Sequence, residues 1–157
     1  MPERMWLRPS DAARDRRADA VSAVFSIPVR VYYEDTDAGG VVYYANYLRF
    51  MERARTEWLR ALGFDQNELS SSQNVVFAVR SVRADYLRPA RLNDMLEITA
   101  ALGRIGSASL VFAQEVRRGG EAICAGEIKV ACLDSQGFSP KPIPPSVLSR
   151  INLWRES

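Results

Sequence analysis

Residues 47–62 carry a helical repeat, and most of the chain after them repeats with a period of two. In the helical stretch Tyr47, Phe50, Met51, Ala54, Trp58, Ala61 and Leu62 recur three and four apart, with Arg49, Arg53, Arg55, Glu57 and Arg60 largely between them. A single apolar stripe of this kind has to be covered along its length. The segments VVFAVRSVRADYL, MLEITAALGRI, SASLVFAQEVRR and EAICAGEIKVACLD, rich in Val, Ile and Phe, read as the strands that cover it. Ahead of the helix, SIPVRVYYED alternates well enough to be a first strand, with Val29, Val31 and Tyr33 on one face. One long helix and a meander of strands predict a two-layer α+β domain with a curved antiparallel sheet.

Punctuation residues mark the element ends. Asn46 is a candidate cap for the start of the helix and Gly63 for its end. About 17 residues at ~1.5 Å rise span ~25 Å, long enough to run through the middle of a domain this size. Gly119-Gly120 predicts a tight hairpin, and Gly106 with Ser107 separates two further strands. RPARLND and the polar patch DQNELSSSQN read as connections, and the prolines of SPKPIPPSVLSRIN end the sheet before a short helix from about Pro145. Residues 1–25, rich in Arg, Asp and Ala, differ from the rest and read as a solvated, poorly ordered extension, a short amphipathic helix or docking arm being the alternatives. Residues 26–157 read as a single domain.

Composition narrows the chemistry. The chain has no histidine, which removes Ser-His-Asp and Cys-His catalysis, imidazole bases and any zinc site built on imidazole. Its 21 basic and 19 acidic residues leave a net charge of +2, too little to favour nucleic acid or an anionic membrane as partner. Cys124 and Cys132 have an even separation, which puts both on one face of an extended strand, and they read as reduced core thiols of a cytoplasmic protein. No apolar run reaches the roughly 18 residues of a spanning helix. No metal and no cofactor is expected.

Chemistry concentrates in YYEDTDAGGVVYYANY, residues 32–47, between first strand and helix. Glu34, Asp35 and Asp37 lie together, and Gly39 and Gly40 allow a tight bend or a close ligand. The unpaired N–H groups and positive dipole end at the helix start can hold a developing oxyanion. A carboxylate beside such an end suits attack on a carbonyl. The same acids also suit simple capping, so the spacing alone leaves both readings open.

YYEDTDAGGVVYYANYLRFMERARTEWL resembles the signature of the 4-hydroxybenzoyl-CoA thioesterase-like hotdog family, and within it the YbgC-type acyl-CoA thioesterases associated with the Tol-Pal system. The resemblance runs from about Val29 to Val147 and includes ARLNDMLEI and GSASLVFAQEV. It implies a hotdog fold, a curved antiparallel sheet wrapped around one long central helix. It implies hydrolysis of acyl-CoA to a carboxylic acid and CoA. It places the catalytic carboxylate, as nucleophile or general base, on Asp37 and the oxyanion-binding amide on Tyr44. Many YbgC-type sequences have histidine at the Tyr44 position, whereas 4-hydroxybenzoyl-CoA thioesterases have tyrosine, so substrate preference stays open. It further implies a homodimer or homotetramer with the site at the subunit interface, partners in the Tol-Pal or lipid-metabolism machinery, and a cytoplasmic place at the inner face of the inner membrane.

Gly40, Val42, Asn46 and Tyr47 are candidate substrate-binding residues, with cap and core roles as alternatives for Asn46 and Tyr47. Asp35 reads as a turn or capping acid. Arg88, Arg91, Arg104 and Lys129 are candidates for the CoA phosphates or are surface charges. Glu57 is either a second acid on the helix or a partner of Arg53 or Arg60. A hotdog dehydratase needs a histidine and is excluded. A non-catalytic acyl-CoA-binding or scaffold subunit is the competing reading.

Overall fold

The computed structural model describes residues 23–157. The expected extension at residues 1–25 therefore lies almost wholly outside the described residues. Strand β1 spans Phe25–Arg30, starting one residue before the predicted Ser26. Val29 and Val31 are buried as expected, but Tyr33 is 82% exposed. The strand has ended by then, and a single 3-10 turn over Tyr33–Asp35 swings that side chain out of the alternation.

Helix α1 spans Tyr44–Ala61. Its buried stripe holds Tyr47, Phe50, Met51, Ala54 and Trp58, with Leu62 just beyond, as the repeat predicts. Two positions depart from it. Ala61, the last helical residue, is exposed, whereas Leu59 is buried. Asn46 lies inside the first turn and is not the cap. Tyr43 occupies that position and gives no side-chain bond. Gly63 follows the helix at φ +100 and donates to Arg60 O, closing the end as expected.

The patch DQNELSSSQN is a helix, not a loop. Helix α2 spans Gln66–Gln73, with the Asp65 side chain capping Glu68 N and Asn74 ending it in the left-handed region. Its one buried residue is Leu69, so it leaves no apolar period in the sequence. Strands β2 (Val75–Tyr86), β3 (Met95–Gly106), β4 (Ser109–Arg118) and β5 (Glu121–Asp134) follow, and helix α3 spans Pro145–Glu156 from the predicted proline. The sheet order is β1-β3-β4-β5-β2, antiparallel throughout, with the Gly119-Gly120 hairpin joining β4 to β5.

Helix α1 packs across β1, β3 and β4. Its close approach to the sheet depends on Gly126 of β5, where a Cβ would lie 3.3 Å from Met51 Sδ and 3.2 Å from Ile128 Cδ1. Trp58 meets Phe112 and Trp154 edge to face, at ring distances of 5.1 and 5.6 Å, which fixes α3 against the far part of α1. Cys124 and Cys132 face this core as free thiols, and burial pushes their pKa values up to about 12 and about 11. The edge strands are β1 and β2. Strand β2 is the longer and exposes Val79 and Val82. Among the described residues no helix is long and apolar enough to cross a membrane.

Candidate active site

Asp37 sits at the tip of a tight loop that runs directly into α1. Its backbone N–H donates to Val41 O at 2.9 Å, its carbonyl accepts from Gly40 N at 3.0 Å, and Thr36 pairs with Val42 across the loop. Gly40 supplies the turn with φ +79, a region that L side chains rarely adopt. Gly39 donates its N–H to Asp37 Oδ1 at 2.8 Å, and a Cβ there would stand 3.2 Å from that oxygen. The two glycines therefore bend the chain and let its backbone grip the carboxylate. The loop leaves Asp37 exposed, and Oδ2 receives no hydrogen bond among the described residues.

Tyr44 is the first residue of α1, so its N–H belongs to the turn that the helix itself cannot satisfy. Its ring is 59% exposed and lies beside Tyr43 and Tyr86, at 4.8 and 6.1 Å. Burial pushes the Tyr86 hydroxyl up to about 12 and raises that of Tyr47, and the Tyr44 side chain raises that of Tyr43. These three phenols stay protonated near neutrality, so they do not replace the missing imidazole as a base.

The other acids of the motif do different work. Asp35 Oδ2 accepts from Tyr32 N at 2.8 Å, which makes it the turn acid that its position suggests. Asp35 O accepts from Tyr43 N at 3.1 Å and from Asn46 Nδ2 at 2.9 Å. Asn46 thus ties the first turn of α1 back to the motif. Val42, Asn46 and Tyr47 are 4%, 8% and 3% exposed, so in this chain they stand behind the loop surface and not on it. The side chains of Asn46 and Tyr47 are engaged in internal hydrogen bonds, and Val42 packs in the core. Gly40 alone of the four candidates lies exposed.

The loop is clamped by a part of the chain that the motif does not reveal. Val42 N donates to Ala90 O at 2.9 Å, and Val41 pairs with Arg91. Tyr47 Oη in turn accepts from Ala90 N at 2.9 Å. Asp94 holds the same connection by accepting from Arg91 N and from Arg118, both at 2.9 Å. Burial acts to raise the Asp94 carboxyl, but the Arg91 N–H and the Arg118 guanidinium outweigh it and hold its pKa below the usual carboxylate value. Of the four candidate cations, Arg88 pairs with Glu121 at 3.0 Å, while Arg91 lies next to the motif loop. Arg104 is exposed on β3, and Lys129 stands on β5 opposite Ser81 and Val111. Glu57 pairs with Arg60, one turn along α1.

Residues 39–125, which hold Gly39, Gly40, all of α1 and strands β2, β3 and β4, match the thioesterase superfamily. The chain belongs to that superfamily. It is 45% identical over 123 residues to the acyl-CoA thioesterase YbgC of Haemophilus influenzae, covering 78% of this chain and 90% of that protein. It is 40% identical over 124 residues to the acyl-CoA thioesterase YbgC of Helicobacter pylori, covering 73% and 90%. The crystal structure of a probable thioesterase from Bartonella henselae superposes with a TM-score of 0.75 at 32% identity, covering 78% of this chain and all of that one. The sheet order and central helix of this superfamily member are those of the hotdog fold, as the sequence resemblance implies.

Proposed function

We propose that the protein hydrolyses acyl-CoA thioesters to a carboxylic acid and CoA. The observation that carries this reading is the Asp37 carboxylate, gripped at Oδ1 by Gly39 N–H, open at Oδ2, and set in the loop that ends at the N-terminus of α1. In the reaction, the Tyr44 N–H and the helix dipole stabilise the oxyanion that forms as the thioester carbonyl is attacked. Asp37 either attacks the carbonyl itself, giving an acyl-enzyme anhydride and a CoA thiolate, or takes a proton from the attacking water. The exposed Gly40 borders the acyl group, and Val42, Asn46 and Tyr47 hold that wall in place. Arg91, beside the loop, is the proposed partner of a CoA phosphate.

The test is release of free thiol from short-chain, aromatic and long-chain acyl-CoAs. Turnover well above background with at least one class is expected. Binding of acyl-CoA with no thiol release from any of them would favour the non-catalytic acyl-CoA-binding or scaffold reading.

The proposal has two further parts. The exposed β2 edge supports assembly into a homodimer or homotetramer, since an open strand edge invites pairing. A second subunit joined there would bring its own surface toward the Asp37 site, and light scattering at micromolar concentration should show no monomer. The resemblance to YbgC-type proteins supports work beside the Tol-Pal or lipid-metabolism machinery, in the cytoplasm at the inner face of the inner membrane. Co-purification of those proteins with the tagged chain tests it.

A further inference from the structure

The middle of α1 faces a cavity of about 230 Å³ that none of residues 35–44 lines. Trp58, Leu59, Phe77 and Phe112 make apolar walls, and Glu52, Arg55 and Thr56 add polar groups from one face of the helix. Arg55 is held in a set direction. Its NH1 donates to Gln114 Oε1 at 2.9 Å, and Gln114, 1% exposed, donates its amide to Met51 O and Thr99 O at 3.0 and 3.1 Å. Those two carbonyls fix which end of the Gln114 amide meets the guanidinium.

The site is rich in donors and short of acceptors. A guanidinium has five N–H donors, and Gln114 takes one. Among the described residues no carboxylate lies within ion-pair distance of Arg55. Burial lowers the pKa of this Arg, while the charge of Glu52, an exposed residue one turn away, acts against that. Trp58, 2% exposed, also buries its indole Nε1–H without an acceptor. The indole of Trp58 thus lacks the partner that buried polar groups ordinarily find, and the half-buried Arg55 keeps donors beyond the one spent on Gln114.

We propose that this cavity binds a small organic carboxylate, with its apolar body against Trp58 and Phe112 and its oxygens on the Arg55 guanidinium. At about 30 Å³ per water-sized group the chamber holds about eight non-hydrogen atoms, which suits a six-carbon fatty acid or a simple aromatic acid. Arg55 lies eleven residues beyond Tyr44, a rise of ~17 Å along the helix, so an acid of that size held there does not reach the Tyr44 amide of the same chain. The ligand class follows from the donors and is independent of the thioesterase reading. If that reading holds, the ligand is chemically a product of the reaction.

Titration of the full chain with hexanoate, benzoate and 1-hexanol, without CoA, tests the site. The readouts are tryptophan fluorescence and the indole N–H signal of Trp58 in a proton–nitrogen correlation spectrum. Saturable binding of hexanoate and benzoate is expected, with 1-hexanol at least tenfold weaker. Arg55→Met should weaken hexanoate at least tenfold, and Glu52→Gln, which removes a like charge from the rim, should tighten it. Equal binding of acid and alcohol, no saturable change with either acid, or full affinity in Arg55→Met would overturn the proposal. The comparison of acid with alcohol uses the native protein, so it stands even if Arg55→Met fails to fold. Failure here would leave thiol release untouched, and loss of thiol release would leave this binding untouched.

Discussion

The two parts of α1 handle polar groups in opposite ways. At its start, Asp37 and Tyr44 are exposed, and the bonds around them run mainly through backbone, with Gly39 N–H on the carboxylate and Val41 and Val42 paired to their neighbours, joined by the Asn46 amide on Asp35 O. About three turns later, polar side chains lie deeper and are tied to one another, with the half-buried Arg55 on the buried Gln114 and Gln114 on a helix and a strand carbonyl. A group that must meet solvent and substrate can be fixed by a turn, because water satisfies what the turn leaves over. A group inside has no water to fall back on, so its partners must be complete or supplied by a ligand.

Substitutions can break this contrast, and their effects should grade from the exposed carboxylate downward. Asp37→Asn keeps the loop but removes the charged oxygen, and should lower kcat by about 10²–10⁴-fold with unfolding unchanged. An unchanged kcat would remove Asp37 from the reaction. Label in the Asp37 peptide after a single turnover in ¹⁸O-labelled water would identify the nucleophile, since water attacking the Asp37 carbonyl of the anhydride leaves one labelled oxygen there and a general base acquires none. Tyr47→Phe leaves Ala90 N–H buried without its acceptor and should cost about 1–3 kcal/mol in denaturant unfolding. That result would confirm that the loop is supported from behind.

Acid should loosen the same clamp. The folded pKa of Asp94 is depressed, so its contribution is present above the unfolded value, near 3.9, and is lost as pH falls through the folded one. Acid unfolding followed by circular dichroism should therefore be shallower in Asp94→Asn than in the native chain below about pH 5. The smallest effect is expected for Tyr44→Phe, where thiol release should stay within about threefold. A backbone N–H survives the change, and a threefold factor is under 1 kcal/mol. A loss near that of Asp37→Asn would instead give the Tyr44 hydroxyl a chemical role.

Much of this was legible along the chain. The stripe of α1, the four later strands, the Gly119-Gly120 hairpin and the helix at Pro145 all lie close to where periodicity and punctuation put them. Asp37, Gly39, Gly40 and Tyr44 form one local segment, so their spacing alone sets them before the helix. What stayed hidden was not local or had no period. Helix α2 buries only Leu69, and Tyr33 leaves its strand through a turn of three residues. Asn46 looks like a cap in sequence and becomes a tie to Asp35 O, because Tyr43 already occupies the cap position.

The sequence by itself determined most of the helices and strands and set a cluster of carboxylates ahead of the helix start, since those depend on residues a few positions apart. Only the tertiary structure decided that β1 lies beside β3, that Ala90 joins Tyr47 to the motif loop, and that Arg55 meets Gln114 across 59 residues. Those contacts are set by which apolar faces bury one another, and chain order does not record that choice.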